Sequence, residues 1–291
     1  MTAIASSELI LNENGSIFHL HLKPEELADT VLLVGDPGRV ALVSAMFDKI
    51  RVQVQNREFV AHTGIYKGKE ISVISTGIGT DNIDIVVNEL DALANIDFTT
   101  RLPKATHKTL NLIRVGTSGS IQRFVEIGST VMSAISIGFD GLLNFYAGRD
   151  KVSLLDYEQA FVRHTGWNEK FAKPYFVRNS ERLITLFADS SVRGMTISAP
   201  GFYGPQGRVL RLPLTMPELN HKVESFRYNN EYITNIEMES SAIAGLARLL
   251  GHEAITLCFI IANRVTLSAL SDYKKDMQAT LRMVLDKACT L

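Results

Sequence analysis

Two segments of the sequence combine glycine with arginine in a way that suits the binding of an anion. Residues 35–39 read GDPGR after a short apolar run, where glycine lets backbone N–H groups approach a ligand and the start of a helix favours negative charge. Arg114 lies inside another apolar run, just before the donor-rich residues 116–120. Because a buried guanidinium group needs an anionic partner, Arg114 is expected to pair either with a structural carboxylate or with a ligand such as phosphate.

Two carboxylates lie two positions apart in residues 235–241, which read NIEMESS and introduce a helical pattern. Side chains two positions apart do not share a helix face, so Glu237 and Glu239 are expected to serve different tasks. In one interpretation, both simply stabilise the positive end of the helix. In the other, a carboxylate accepts paired hydrogen bonds from vicinal hydroxyls of a ribose, with Met238 against the sugar.

A third candidate is the loop at residues 202–208, FYGPQGR, in which Gln206 and Arg208 stand two positions apart. An amide and a guanidinium group on one loop can present donors and an acceptor to a single planar edge. A surface loop with incidental polar side chains is the alternative, since proline and glycine are typical of exposed turns. The residues alone leave both interpretations open.

Alternating strand and helix patterns supply the elements that must position these side chains. Short apolar runs end in glycine or polar turns and are followed by helical spacing, which is typical of an α/β sheet between helices. No linker separates two cores, so a single domain over residues 1–291 is expected, with its core at about 18–290. Strands are predicted at 31–34, 70–76, 111–115, 130–137, 193–198, 232–236 and 254–262, and helices at 237–250 and 269–288.

The order of the strands decides whether these segments meet. Ligands of open α/β sheets bind beyond the carboxyl ends of the strands. If the strands at 31–34 and 111–115 are neighbours, Arg114 and Thr117 converge with Gly35 and Arg39. A tight turn with a surface arginine is the other interpretation of the GDPGR segment.

The charge balance and the apolar content restrict the class of function. The chain has 291 residues, 46% of them hydrophobic, and a formal net charge of −1, so no global field attracts it to nucleic acid or to an anionic membrane. Of its two cysteines, Cys258 lies in an apolar run, which favours a buried thiol over a disulfide. There is neither a signal-peptide pattern nor an apolar run of membrane-spanning length. A cytoplasmic protein is therefore expected.

Together, these segments resemble those of a known family. Residues 35–39, 75–79 (STGIG), 114–119 (RVGTSG) and 237–240 (EMES) are similar, in the same order, to signature segments of the nucleoside phosphorylase superfamily. This superfamily includes uridine phosphorylases and hexameric purine nucleoside phosphorylases. The resemblance covers roughly residues 18–265, and it implies a single-domain, three-layer α/β/α fold with a mixed central sheet flanked by helices. Four ordered motifs are more specific than any one of them.

The resemblance also implies roles for individual residues. Neither a redox cofactor nor a metal is implied, and inorganic phosphate is the co-substrate. The histidine at 19 and the arginine at 57 would reach into a neighbouring subunit, which makes a homodimer the minimal catalytic unit and a hexamer of three dimers the larger alternative. The implied phosphate-binding positions are Gly35, Arg39, Arg57, Arg114 and Thr117, and the implied ribose-binding positions are His19, Thr117, Met238 and Glu239.

The same resemblance implies which base is bound. In uridine phosphorylases, the positions that read the pyrimidine match Phe202, Gln206, Arg208 and Ile261 of this chain. Purine-specific relatives carry an aspartate after the last strand, whereas residues 260–264 read IIANR here. Nucleosidases that use water lack the set of arginines that this chain has.

The implied reaction is the phosphate-dependent cleavage of uridine, and of deoxyuridine as a second candidate, into uracil and ribose 1-phosphate in pyrimidine salvage. A purine nucleoside phosphorylase or nucleosidase, and a catalytically silent nucleoside-binding subunit, are the alternatives. Two segments depart from the bacterial pattern, an insertion at 97–108 and the stretch 209–219 after the base loop. The expected catalytic residues are Arg114, Thr117, Gln206, Arg208 and Glu239.

Overall fold

The structure is a computed structural model that describes residues 2–291, apart from the side chain of Lys274. No helix in this part of the chain is long and apolar enough to cross a membrane. The strands are β1 (Thr30–Val34), β2 (Lys49–Asn56), β3 (Phe59–Tyr66), β4 (Lys69–Ser75), β5 (Ile96–Asp97), β6 (Leu102–Pro103), β7 (Asn111–Ser120), β8 (Thr130–Gly138), β9 (Tyr175–Arg178), β10 (Val192–Ser198), β11 (Arg227–Tyr228), β12 (Glu231–Glu237), β13 (Glu253–Asn263) and β14 (Ser268–Ala269). The helices are α1 (Pro37–Ser44), α2 (Thr80–Asn95), α3 (Arg149–Val152), α4 (Leu155–Thr165), α5 (Glu181–Phe187), α6 (Leu219–Ser225), α7 (Ser240–Leu250) and α8 (Lys274–Ala288).

The central sheet is mixed and partly closed on itself. β1 lies between β4 and β7 and is parallel to both, whereas β13 is parallel to β7 and antiparallel to β8. The strand order is β11-β12-β10-β8-β13-β7-β1-β4-β3-β2, and an additional antiparallel pairing joins β12 to β7. β7, β13, β8, β10 and β12 therefore form a closed ring of strands.

Alternate residues of β1 show that helices cover both faces of the sheet. Val31 and Leu33 pack in a core cluster with residues of α2 and α7. Leu32 and Val34 pack in a second cluster with residues of α1, α5 and α8. Because successive side chains of a strand point to opposite faces, the sheet is the middle layer of an α/β/α sandwich, as predicted.

Several predicted boundaries were wrong. β7 continues to Ser120, so the donor-rich residues 116–120, outside the predicted strand 111–115, are strand residues paired with β13 and β12. α7 begins at Ser240 and not at residue 237, because Glu237 still belongs to β12. The last helix begins at residue 274 instead of 269, since Ser268–Ala269 forms a short strand against β13.

The hairpin of β2 and β3 was missing from the sequence-based prediction. β2 is the edge strand of the sheet, and its residues are exposed or half-buried. Its sequence, KIRVQVQN, alternates polar and apolar residues and therefore lacks the continuous apolar run that marks a strand covered on both faces. Arg57 lies in the turn after β2 with φ +52°, so the hairpin presents this side chain at its tip.

Both segments that depart from the bacterial pattern lie at the surface. Residues 97–108 are mostly exposed and contain the short strand β6. Arg101 in this insertion donates from Nη2 to the backbone oxygen of Ala5 at 3.0 Å, which ties it to the N-terminal segment. Residues 209–218 contain neither helix nor strand and are also mostly exposed.

Candidate active site

Arg114 lies at the centre of a buried charge cluster. It is on β7, between β1 and β13, and its Nη2 donates to Glu239 Oε2 while its Nη1 lies 3.2 Å from Glu237 Oε2. The three side chains are at most 5% exposed. Within the described residues, Nε has no hydrogen-bond partner, and the contact of Nη1 is not aligned as a hydrogen bond. Arg114 is therefore paired with two structural carboxylates, and its guanidinium group keeps unsatisfied donors for a further anion.

The two carboxylates have different tasks although both contact Arg114. Glu237 ends β12 and accepts hydrogen bonds from the backbone N–H groups of Glu239 and Ser240, both at 2.9 Å, so it stabilises the start of α7. Glu239 is the N-cap residue of that helix, and its Oε1 accepts from the backbone N–H of Gly79 at 2.7 Å. The helix-face argument that separated the two was wrong, because neither residue lies inside the helix.

Burial makes Glu239 unusually easy to protonate. Desolvation raises the pKa of Glu239 from 4.5 to about 7, against the attraction of Arg114 and with a further contribution from the charge of Glu237. One positive and two negative groups share the cluster, so a proton on Glu239 removes its excess negative charge. Met238, between the two glutamates, is half-buried.

The carboxyl ends of β1 and β4 lie side by side, next to the middle of β7, which continues to Ser120. Val34 is paired with Ser75 on one side and with Val115 on the other. Gly35 and the half-buried Thr117 therefore lie at the same edge of the sheet. The predicted convergence of these segments requires this arrangement.

Two further residues complete this edge. Arg39 is half-buried in the first turn of α1, where Asp36 accepts a hydrogen bond from the backbone N–H of Gly38 at 2.9 Å. Gly116 lies under the guanidinium group of Arg114, and a Cβ atom at this position would collide with it. Glycine at position 116, two residues after Arg114, therefore avoids a steric clash with the arginine side chain.

Gln206 is the centre of a second polar cluster. Its Oε1 accepts hydrogen bonds from Arg208 Nη1 and Arg264 Nη2, both at 2.6 Å, and the Arg208 guanidinium lies 3.8 Å from the ring centre of Phe202. Burial lowers the pKa of both arginines, and the charge of Arg208 helps to lower that of Arg264 to about 10. Within residues 2–291, the Nε2 of Gln206 has no protein partner, so this amide can still donate to a ligand.

Arg264 was not among the predicted site residues. Its backbone N–H donates to the oxygen of Ser120 at 2.9 Å, and its side chain packs on Gly119. The Gln206 cluster therefore lies against the same strand that carries Arg114. The only signal in the sequence was an arginine directly after a buried strand. Ile261 on β13 is half-buried at an irregularity in the register.

His19 lies beside the hairpin turn that carries Arg57, and both residues are outside the Arg114 cluster. His19 Nδ1 is 2.6 Å from Glu89 Oε1, and Asn56 Nδ2 donates to the backbone oxygen of His19 at 2.9 Å. Arg57, next to Asn56, is exposed. In the part of the chain that the structure describes, neither residue has a hydrogen bond or an ion pair with Arg114.

This fold is that of the nucleoside phosphorylases, a class of pentosyltransferases. The chain belongs to the phosphorylase superfamily, whose family model matches residues 29–290. Both the predicted family and the predicted fold are confirmed.

Three relatives illustrate how similar this chain is to other members of the superfamily. A uridine phosphorylase from Thermococcus kodakarensis is 32% identical over 270 residues, which cover 90% of this chain and 82% of the relative. A DeoD-type purine nucleoside phosphorylase from Listeria welshimeri is 28% identical over 241 residues, which cover 82% and 84%. The solved structure of a Trypanosoma brucei nucleoside phosphorylase, described as showing uridine phosphorylase activity, superposes with a TM-score of 0.87 at 30% identity and covers 97% of this chain and 99% of its own.

Proposed function

We propose that the chain is a uridine phosphorylase, which uses inorganic phosphate to cleave uridine into uracil and ribose 1-phosphate. The observation that carries the proposal is the fixed amide of Gln206, held at Oε1 by Arg208 and Arg264 at 2.6 Å. A pyrimidine edge presents an N–H group between two carbonyl oxygens. Because both arginines donate to Oε1, the free Nε2 of the amide and the remaining guanidinium donors suit those carbonyl oxygens. Deoxyuridine has the same edge and is a second expected substrate.

The last residue of β13 supports a pyrimidine over a purine. Where purine-specific relatives carry an aspartate, Asn263 donates from Nδ2 to the backbone oxygens of Gln122 and Val125, both at 3.0 Å. Its Oδ1 accepts from the backbone N–H groups of Val265 at 3.0 Å and Thr266 at 3.1 Å. The amide is fully used in holding the turn, and it has no acidic proton for the ring of a purine leaving group.

The edge formed by β1, β4 and β7 is the proposed site for phosphate and ribose. Arg114 and Thr117 hold the phosphate beneath the sugar together with Gly35 and Arg39, since guanidinium groups and backbone N–H groups suit its oxygens. Glu239 accepts hydrogen bonds from the ribose hydroxyls in its ionised form. To bind there, the phosphate must accept hydrogen bonds from N–H groups of Arg114 that now face Glu237 and Glu239.

Bond cleavage in this site needs positioning and electrostatics more than covalent help. A phosphate oxygen forms the new bond to C1′ while the bond from C1′ to N1 of uracil breaks and leaves its electron pair on the base. Gln206 and Arg208 stabilise the negative charge that accumulates there. Phe202 and Ile261 pack against the nucleoside and exclude water.

We place His19 and Arg57 in the site of a second subunit, which makes a homodimer the smallest active form and a hexamer of three such dimers the larger alternative. Arg57 supports this role because it is exposed at a hairpin tip. Glu89 holds Nδ1 of His19, which leaves Nε2 of the ring to contact the ribose. Met238 lies against the same sugar, and the cytoplasm is the proposed location.

A nucleoside panel tests the proposal. The purified protein is incubated with uridine, deoxyuridine, thymidine, inosine and adenosine, with and without phosphate, and the released base and ribose 1-phosphate are measured. We expect uracil from uridine only when phosphate is present. Faster cleavage of inosine would identify a purine nucleoside phosphorylase, release without phosphate would identify a nucleosidase, and no cleavage at all would indicate a silent subunit.

A further inference from the structure

A cavity lies beside the loop that carries Gln206 and is lined in part by residues of that loop. It is bounded by the ends of β8 and α4 and by parts of residues 200–219, and its volume is about 730 Å³, which is within the usual range of small-molecule sites. Of the residues proposed to bind nucleoside or phosphate, Arg208 is the one found among the described residues that line it. The cavity is therefore a neighbour of the base site and not a part of it.

Aromatic rings form one wall of this cavity. The rings of Phe139 and Trp167 have their centres 4.7 Å apart, and those of Trp167 and Phe171 are 5.4 Å apart. Leu214 and Met216 also line the cavity. A wall of this kind favours a flat, apolar ring, which can stack on or pack edge-on against its aromatic members.

Two arginines bring unpaired positive charge to the cavity. Arg208 uses Nη1 for the backbone oxygen of Phe202 and for Gln206 Oε1, both at 2.6 Å, while its Nε and Nη2 have no hydrogen-bond partner in the described residues. Arg211 also lines the cavity, and it has no ion pair or side-chain hydrogen bond within residues 2–291. Guanidinium groups with free donors suit a carboxylate.

Among the described residues that line the cavity, Asp140 is the one acid. It accepts hydrogen bonds from the backbone N–H of Leu142 at 2.8 Å, from the hydroxyl of Tyr175 at 2.9 Å and from the hydroxyl of Ser241 at 2.8 Å. These three protein donors stabilise its carboxylate. The charged donors that can meet a ligand are those of the two arginines.

We propose that this cavity binds a planar aromatic monocarboxylate, with its ring against Trp167 and its carboxylate at Arg208 and Arg211. Binding at this place goes beyond the proposed reaction and does not depend on it. Because Arg208 faces both the cavity and the proposed base site, a ligand here is well placed to influence the loop that reads the base.

The sequence contains one tryptophan, so the fluorescence of Trp167 reports on this wall alone. Biphenyl-4-carboxylate is titrated into the intact protein, with biphenyl-4-carboxamide as the uncharged probe of the same shape. We expect saturable quenching by the carboxylate at one site per chain, and binding of the amide about tenfold weaker because it lacks the charge-assisted hydrogen bonds. The quenching should persist at saturating uridine.

Arg211→Gln removes one guanidinium group without touching a residue placed in the catalytic machinery. It should weaken the carboxylate about tenfold and leave the amide unchanged, whereas Arg123→Gln, an exposed arginine that does not line the cavity, should change neither. Absence of saturable quenching, equal affinity for both probes, no effect of Arg211→Gln, or displacement of the probe by uridine would each overturn the proposal. Since the readout is fluorescence, the results with the probe pair and with Arg211→Gln are independent of whether uridine is the substrate.

Discussion

The buried cluster around Arg114 and the cluster around Gln206 differ in the partners of their arginines. Arg114 lies on a central strand between two carboxylates, and burial there raises the pKa of Glu239. Within the described residues, Arg208 and Arg264 have no carboxylate partner, and burial lowers the pKa of both. An arginine without a carboxylate can stabilise negative charge that develops on a ligand, whereas Arg114 must exchange carboxylate contacts for phosphate. In the proposed function, the strands therefore carry the anion site and the loop carries the base site.

The largest effect is expected at the buried cluster. Arg114→Gln removes the proposed phosphate ligand and leaves Glu237 and Glu239 without a cation. We predict a loss of kcat/KM for uridine of at least about 10²–10³-fold and a loss of unfolding free energy of about 3–5 kcal/mol. Phosphate-dependent uracil release and chemical denaturation measure the two effects.

The double variant Arg114→Gln/Glu239→Gln separates stability from activity. It removes one of the two uncompensated charges, so part of the lost stability should return while the enzyme stays inactive. A folded Arg114→Gln protein with wild-type kcat/KM would contradict the phosphate assignment.

The next effect is expected at the base cluster. Gln206→Ala should lower kcat/KM for uridine about 10²-fold because the Nε2 donor to the base is lost and Arg208 and Arg264 lose the oxygen that positions them, with little change in the KM for phosphate. Gln206→Glu is the matched variant, since it keeps an oxygen for Arg208 and Arg264 but loses the Nε2 donor. If the KM for phosphate rises as much as that for uridine, the two clusters do not divide the work as proposed.

Sharing of sites between subunits gives a smaller signal. Inactive Arg57→Ala chains are mixed in equal amounts with inactive Arg114→Ala chains under conditions of subunit exchange. In a mixed dimer, the Arg114→Ala chain lends its Arg57 to the site of the other chain, whose Arg114 is intact. Random exchange should restore roughly a quarter of the wild-type activity, because half of the dimers are mixed and each has one complete site. No recovery after demonstrated exchange would show that Arg57 does not act in the partner's site.

The smallest expected effect is the pH dependence of stability. Glu239 has a pKa of about 7 in the fold and an ordinary value of 4.5, so the folded state binds its proton more tightly than the unfolded state. This stabilisation is complete below about pH 4.5 and is lost as the pH rises through about 7. Activity should rise over the same upper range, because only the ionised carboxylate accepts both ribose hydroxyls. Denaturation at several pH values between 5 and 8 measures the free energy of unfolding. Its dependence on pH should be weaker in Glu239→Gln, and an unchanged dependence would rule out this residue as the cause.

The sequence predicted most of the central strands because continuous apolar runs are local signals, and the pairing of β1 with β7 puts Gly35 beside the segment of Arg114 and Thr117. The convergence of Arg39 with these residues stays a prediction. It did not predict that both glutamates contact Arg114, since this depends on where β12 ends and α7 begins. Arg264 was missed because its partner, Gln206, is distant in the chain and only the closed ring of strands brings the two together.

The most direct test compares the two clusters in one experiment. Cleavage of uridine and of inosine is measured with and without phosphate in the wild type, in Gln206→Ala and in Arg114→Lys, which keeps a positive charge but loses the two-pronged contact. We predict phosphate-dependent release of uracil, with a preference for uridine over inosine that collapses in Gln206→Ala and survives in Arg114→Lys. A wild-type preference for inosine, or an equal loss of preference in both variants, would contradict the proposed division between anion site and base site.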